Sequence, residues 1–394
     1  GLANGGKSGS AGQVSSGGSG TAGAAGSANA GSAGSAAGGS SAGGNGAQAG
    51  SNTGGTGGMH IASPCTALPA SGTWEKISPT GDDASGSIAL DPFDSAIIWA
   101  GNKNGLNKST DCGASWTLVS TGTNGPGLAN SSLWSIAVDP VEQGTIYLVG
   151  GYGALSLWKS TNSGVDWTNL FPADSEYATH AGYDFVNNVS MDPSDHLHLA
   201  VATHGSCSAP YDPNCDAETT DGGVTWTVSV APSHWPEGGG LFVLDATTWL
   251  WCDPFGGIWR TQNNGGSFDK VWDGYGGNGE FTNHPLYPAS DGAYYLSSIQ
   301  GILRSTDSGA TFTQVKNDGK FVGFAMSSTT LYAADQWSPS FATATISAPT
   351  TWTSFPAPPG LPDNQGAPYL EYDEDHHLLY ASTWPGGLWR IVTP

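Results

Sequence analysis

Carboxylates, imidazoles and aromatic rings gather in a few short stretches of this chain, between runs that read as strands. Asp253 sits in Cys252-Asp253-Pro254-Phe255, Glu237 in His234-Trp235-Pro236-Glu237, and Glu280 follows Tyr275 by five positions. Two such carboxyl groups about 5–10 Å apart could cleave a glycosidic bond, one as acid and the other as nucleophile or base. Asp184 and Asp335 belong to the same candidate set. His204 and the run His180-Ala181-Gly182-Tyr183-Asp184 add imidazole and phenol groups, the pair that an elimination from a uronate would use as base and acid. Tyr152, His180, Asp184, Trp235, Tyr275, His284, Trp337 and Trp384 supply flat rings for the C–H faces of sugars and polar groups for their hydroxyls. The plainer reading of each carboxylate is a solvated loop residue, and only convergence of several would favour chemistry.

Composition narrows the partners. The chain has 394 residues, with 33 Asp and Glu against 11 Lys and Arg, a formal charge of −22. Nucleic acid and anionic membrane surfaces would be repelled, and no basic patch reverses this. A neutral polysaccharide or glycan suits such a surface better, and a monomer is expected. No apolar run is long enough to span a bilayer. No cofactor is expected and no metal site is assigned. A structural Ca²⁺ among loop aspartates is compatible with the composition, although EF-hand and RTX spacings are absent.

Residues 1–58 are almost wholly Gly, Ser, Ala, Asn and Thr. Such a segment buries too little apolar surface to offset the entropy of ordering, so a disordered linker is expected there, with one folded domain over 59–394. A Gly/Ser/Ala tether resembles the spacer of bacterial lipoproteins. That places the chain outside the cell or on a bacterial surface, with a lipid anchor on a residue preceding Gly1 as a further expectation.

The folded part repeats. Ser109-Thr110-Asp111-Cys112-Gly113-Ala114-Ser115-Trp116 returns as Ser160–Trp167 and Thr219–Trp226, and more loosely as Thr261–Phe268 and Ser305–Phe312. A repeat of roughly 40–60 residues, each unit holding four short alternating strands and no helix-period stretch, is the signature of a β-propeller. Counting units gives blades near 86–120, 133–172, 186–231, 238–272, 284–316 and 321–356, and a seventh from Ala367 to Ile391. The seventh is one strand short. Gly72-Thr73-Trp74-Glu75-Lys76-Ile77-Ser78 supplies that strand, so an all-β, single seven-bladed propeller closed by its N-terminal strand is expected.

The repeated phrase resembles the Asp-box, or BNR repeat, of sialidases, xyloglucanase-type endoglucanases, sortilin-like receptors and photosystem assembly factors. The form around Lys159 and Arg304 is most similar to the last three groups, including glycoside hydrolase family 74. Its Asp or Asn is expected to accept bonds from backbone N–H groups two residues on, and its Gly to take a positive φ. The resemblance implies a hairpin staple on the face away from the active site. Second-to-third-strand loops and links between blades then form the opposite face, where the candidate residues above collect. True sialidase chemistry is disfavoured, because Arg260, Arg304 and Arg390 all fall at one repeat position and read as structural. The xyloglucanase-type family places an Asp in the second-to-third loop of its first blade. Here that loop is Gly101-Asn102-Lys103-Asn104-Gly105, and the comparable slot of blade four holds Asp253. The resemblance thus implies a glycoside-hydrolase-like propeller, with a non-catalytic glycan- or protein-binding module and a His/Tyr polysaccharide lyase as alternatives. His196, His198, His376 and His377 lie at strand edges and are expected to be solvated.

Five cysteines allow at most two bridges. On the blade map Cys65 and Cys112 meet where the ring closes, Cys207 and Cys215 brace one loop, and Cys252 is left over. Denatured, unreduced protein should therefore take up one equivalent of alkylating reagent. Any other count by intact mass rules out this pairing.

Overall fold

Alternating apolar runs such as Leu133–Val138 and Ile146–Gly150 pair as antiparallel strands, because a pleated strand offers one set of side chains to each neighbouring layer. The computed structural model describes residues 60–79, 85–151, 156–181, 186–232, 239–253, 255–276, 286, 288–383 and 386–394. The expected linker over 1–58 lies outside them. The strands form seven antiparallel sheets, the blades of a seven-bladed β-propeller. Six sheets have four strands. Among the described residues the fifth blade has three, Tyr294–Ser298, Gly301–Ser305 and Thr313–Lys316. No helix of the described residues is long and apolar enough to cross a membrane.

The ring closes as the sequence predicts. Trp74–Lys76 adds to the outer edge of blade seven, with Trp74 opposite Ile391 and Lys76 opposite Trp389. A free edge between first and last blades is thereby removed. Apolar side chains cluster at every blade junction: Ile88, Ile98, Leu378 and Tyr380 between blades seven and one, Tyr147, Val201 and Met191 between two and three. The innermost strands press closely, so a Cβ on Gly86 would lie 2.6 Å from the Leu133 carbonyl of the next blade.

The repeated phrase is a turn stabilised from within. Ser109 Oγ accepts from the Gly113 amide at 2.7 Å, and Asp111 Oδ1 accepts from the Ser115 amide at 2.8 Å. Asn162, Asp221, Asn263 and Asp307 repeat the second bond at 2.9 Å. The acceptor therefore reaches four residues along the chain rather than two, because two consecutive left-handed residues swing the turn outward. In the first copy these are Cys112 at φ 58 and Gly113 at φ 91.

Three of the five turns are also gripped by the preceding blade. Lys159 Nζ, Arg260 Nε and Arg390 Nη1 donate to the carbonyls of Gly222, Ser308 and Cys112 at 2.7, 2.9 and 2.7 Å. All three carbonyls belong to the first left-handed residue of the following blade's turn. Arg390 is 1% exposed and also meets Ala67 O and the Glu75 carboxylate, as a structural role requires. From the other side Trp116 Nε1 donates to Ile77 O at 2.6 Å, and Trp352 Nε1 to Val315 O at 3.1 Å, each in the preceding blade. Cys65–Cys112 and Cys207–Cys215 are bonded, and Cys252 is free and buried.

Of the four histidines expected to be solvated, His377 is exposed and the other three depart from expectation. His198 is 2% exposed, held between Asp192 and Glu218 at 3.0 Å each. Its strand runs between two others of the same blade, so its edge is covered. Burial works against its charged form, but the Glu218 and Asp192 carboxylates outweigh this and hold its pKa above the usual value. His196 is half-buried on Asp139, and His376 bonds Asp373 at 2.6 Å and Ser63 O at 2.9 Å. On the same strand as Glu218, Asp216 is 2% exposed with Oδ2 unpartnered; burial and the Glu218 charge push it up to about 8.

Two stability predictions follow from these contacts. Asp111→Asn keeps the acceptor and should change stability little, whereas Asp111→Ala should cost about 1 kcal/mol by denaturant melts. Asp216 binds a proton more tightly folded than unfolded, so it withdraws stability as pH rises from about 4 to 8. Asp216→Asn should therefore gain melting temperature relative to the parent over that window and match it below pH 4. A parallel offset at all pH values would contradict this.

Candidate functional site

Antiparallel connectivity puts the staple turns at one end of every blade and the second-to-third-strand turns at the other. The strands Ile98–Asn102, Ile146–Gly150, Trp249–Asp253, Thr330–Asp335 and Leu378–Thr383 all end at this second face. Of the residues expected to form a site, Tyr152, Tyr183, Asp184, Trp235, Glu237, Glu280, His284 and Trp384 lie outside the described residues. Asp253, His204, His180, Tyr275 and Trp337 are described, and they fall into separate local groups.

The blade-four group is built on Asp253. Its Oδ1 accepts from the amides of Phe255 at 2.8 Å and Gly256 at 2.7 Å, an Asx turn that turns the chain back into Gly257–Thr261. Gly257 completes the reversal at φ 107, where a Cβ would lie 2.1 Å from the Trp272 carbonyl. The Asp253 carbonyl accepts from Gly276 N at 3.0 Å, which brings the following link over the turn. Tyr275 then meets Phe255 edge to face, ring centres 5.8 Å apart, with Phe255 55% exposed. Asp253 is thus placed beside two rings, while being only 3% exposed and engaged in its turn.

Blade six repeats this design. Asp335 accepts from the Trp337 amide at 2.7 Å through Oδ1 and from the Lys320 amide at 2.9 Å through Oδ2. Both carboxylate oxygens are satisfied by backbone, and the turn they hold presents Trp337, 55% exposed. In two blades, therefore, an Asp fixes a short turn and a large ring stands out from it into solvent. Exposed rings on rigid turns give stacking area with little ordering entropy to lose.

The blade-three insert forms a third group. His180 ends the short helix Glu176–His180, capped by Ser175. Its Nδ1 lies 3.1 Å from Ser208 Oγ, and its ring centre 5.1 Å from that of Tyr211. Tyr211 donates to Glu176 Oε1 at 2.7 Å, and this bond and charge hold its phenol above the usual pKa. The Cys207–Cys215 bridge and the pairing of Ala181 with Cys207 fasten the insert to the helix. His204, 9% exposed, turns inward against Trp134, ring centres 5.1 Å apart. Glu176, Ser208, Tyr211 and Phe255 were not singled out from sequence. Phe255 had a signal, since it follows Asp253-Pro254; Tyr211 and Glu176 are 35 positions apart and only the fold joins them.

At the staple face Cys65, Cys112, Asp373 and His376 bring donor atoms within 4.8 Å of one another. The two sulfurs are bonded together, so the group is a covalent and hydrogen-bonded latch on the ring closure.

No protein-family model matches the chain, that of the Asp-box repeat included. A xyloglucanase of Acetivibrio thermocellus, Xgh74A, is 24% identical over 296 residues, covering 60% of this chain and 32% of its own length. A xyloglucanase of Hypocrea jecorina is 26% identical over 313 residues, covering 71% of this chain and 34% of its own. The chain thus spans about a third of the length of these curated relatives. Among solved structures, YCF48 bound to D1 peptide aligns with a TM-score of 0.55 at 15% identity, over 84% of this chain and 98% of that one. That likeness concerns the fold alone. The chain is therefore a seven-bladed propeller with distant similarity to xyloglucanases.

Proposed function

We propose that this chain is an extracellular, carbohydrate-active propeller that engages a polysaccharide across the face opposite the staple turns, as a glycoside-hydrolase-like module. The observation that carries it is the pair of Asp-held turns presenting Phe255 and Trp337, each 55% exposed, with Tyr275 beside the first. Solvent-facing rings on turns this well fixed contribute little to the core and suit the C–H face of a pyranose. The distant similarity to xyloglucanases supports a neutral β-glucan as the substrate class. Two disulfides agree with an oxidising, extracellular setting. The common bond pattern of the five turns supports the Asp-box assignment of the repeat.

Hydrolysis would draw on Asp253 with Glu237 or Glu280, one carboxyl as acid and its partner as base or nucleophile. Asp253 holds the turn that carries Phe255, whose ring packs on Tyr275, so it is the described carboxylate nearest in sequence to that ring pair. Tyr183 and His204 are the remaining candidates for proton transfer. Tyr152, His180, Asp184, Trp235, His284 and Trp384 extend the binding surface in this reading. A second reading, elimination from a uronate polymer, has one observation in its favour: His180 and Tyr211 stand with ring centres 5.1 Å apart on the blade-three insert.

A pull-down and a reducing-end assay over neutral and acidic polysaccharides, xyloglucan included, separate these outcomes. Binding to a neutral β-glucan is expected, and Phe255→Ala with Trp337→Ala should weaken it about tenfold. Asp253→Asn keeps the turn acceptor and should preserve binding while abolishing new reducing ends. Binding with no new ends from the parent removes hydrolysis and leaves recognition. Unsaturated products from a uronate polymer favour the elimination reading. Failure to bind any polysaccharide removes the proposal.

A further inference from the structure

A cleft of about 390 Å³ opens on the outer side of blade one, bounded by Pro79, three residues beyond the closing strand of blade seven, and by Ala129 and Asn130 of the link to blade two. It is separate from the Phe255 and Trp337 turns, which belong to blades four and six. Its volume falls in the range of small-ligand sites, roughly 300–1,000 Å³. Asn104, Asn107 and Asn130 line it with Trp116 and Lys103; Asn107 is buried and its amide donates to the Gly105 carbonyl at 3.3 Å, while Asn104 and Asn130 are exposed. Among the described residues that line it none is a carboxylate, in a chain that carries 33 Asp and Glu.

These groups are fixed by the backbone beneath them. Asn104 N donates to Asn102 Oδ1 at 2.9 Å, which sets the second-to-third-strand turn. Asn130 N donates to Lys103 O at 2.6 Å, and Asn130 takes φ 60, so the link is pinned against that turn. Trp116 Nε1 donates to Ile77 O at 2.6 Å, which fixes the plane of the ring. The carboxamides of Asn104 and Asn130 make no hydrogen bond among the described residues, and both residues are exposed. The cleft therefore offers a fixed aromatic ring, an apolar edge at Leu118 (41% exposed) and several neutral amide donors and acceptors. That set matches a ligand with alternating C–H faces and hydroxyls and no net charge.

We propose that this cleft is a second carbohydrate site, taking a short segment of a neutral oligosaccharide at the rim of blade one. The exposed carboxamides of Asn104 and Asn130 bond its hydroxyls, and Trp116 and Leu118 contact its C–H face. An acidic sugar would gain from Lys103 alone and meet the repulsion of a −22 chain. The site deepens the reading given above, because a neutral glycan is the class proposed for the main face. It shares no residue with the Phe255 and Trp337 turns and lies on a different blade, although its Lys103–Asn104 turn ends at the same face.

Titration calorimetry with neutral β-glucan oligosaccharides, against a uronate oligosaccharide of equal length, tests it. The full chain should bind the neutral ligand at two sites and the uronate at least tenfold more weakly. Asn104→Ala with Asn130→Gly, the glycine keeping the left-handed backbone, should weaken one site about tenfold and leave the other intact. Phe255→Ala with Trp337→Ala should do the reverse. Unaltered melting temperatures establish that both variants fold. A single site sensitive only to Asn104 and Asn130 would keep this proposal and remove the main-face reading. Two unchanged sites in the Asn104/Asn130 variant, or a single site sensitive only to Phe255 and Trp337, would overturn it, as would tighter binding of the uronate.

Discussion

At three of the blade junctions a cation on one blade bonds a left-handed carbonyl on the next, and this contact joins turn to ring. In each staple turn two consecutive residues take a positive φ that L-residues resist, the first being Cys112, Ser163, Gly222, Asn264 or Ser308. Its carbonyl is thrown outward, where no partner within its own sheet can reach it. Lys159, Arg260 and Arg390 supply the partner from the preceding blade, and Tyr147 and Tyr380 add hydroxyl donors to two of the same carbonyls. A strained turn and a long cation thus satisfy each other across the junction. Neither would be stable in that position alone, which couples local turn formation to assembly of the ring.

This coupling divides the molecule into two faces with different freedom. At the staple face the Ser or Thr and Asp or Asn positions of the five turns are committed to bonds within the turn, and several cations and indoles to bonds between blades. At the other face each turn needs only an Asx acceptor or a glycine to reverse the chain. The residue at its tip is then free to vary without cost to the ring. Phe255 and Trp337 occupy such tips, over turns held by Asp253 and Asp335. Aspartates on both faces are backbone acceptors first, and proximity to rings is what marks Asp253 as a candidate for chemistry.

Much of the fold was legible because propellers are built from near-neighbour contacts. The phrase at Ser109 recurs, strand alternation surrounds each copy, and the missing strand of blade seven is found at Trp74. The disulfide pairing followed from the same map, since Cys65 and Cys112 must meet where the ring closes. The histidines were harder. His198 reads as one more polar residue in Asp195-His196-Leu197-His198, alternating with leucines, and the pattern alone puts it at a solvated edge. Burial between Asp192 and Glu218 depends on the strand's having a partner on each side, and alternation carries no record of which strands become internal.

The sequence by itself determined the repeat, the blade count, the closing strand and the face on which each loop falls, because these follow from periodicity and from connectivity along the chain. The tertiary structure decided which side chains share a surface. Tyr211 reaches Glu176 only because an insert folds back onto a short helix, and Arg390 reaches Cys112 only because the ring closes. The cleft on blade one takes its walls from residues near 79, 104 and 130, set together by the angle between blades. Such contacts lie between segments that the sequence spaces arbitrarily, and their geometry exists only once the blades have packed.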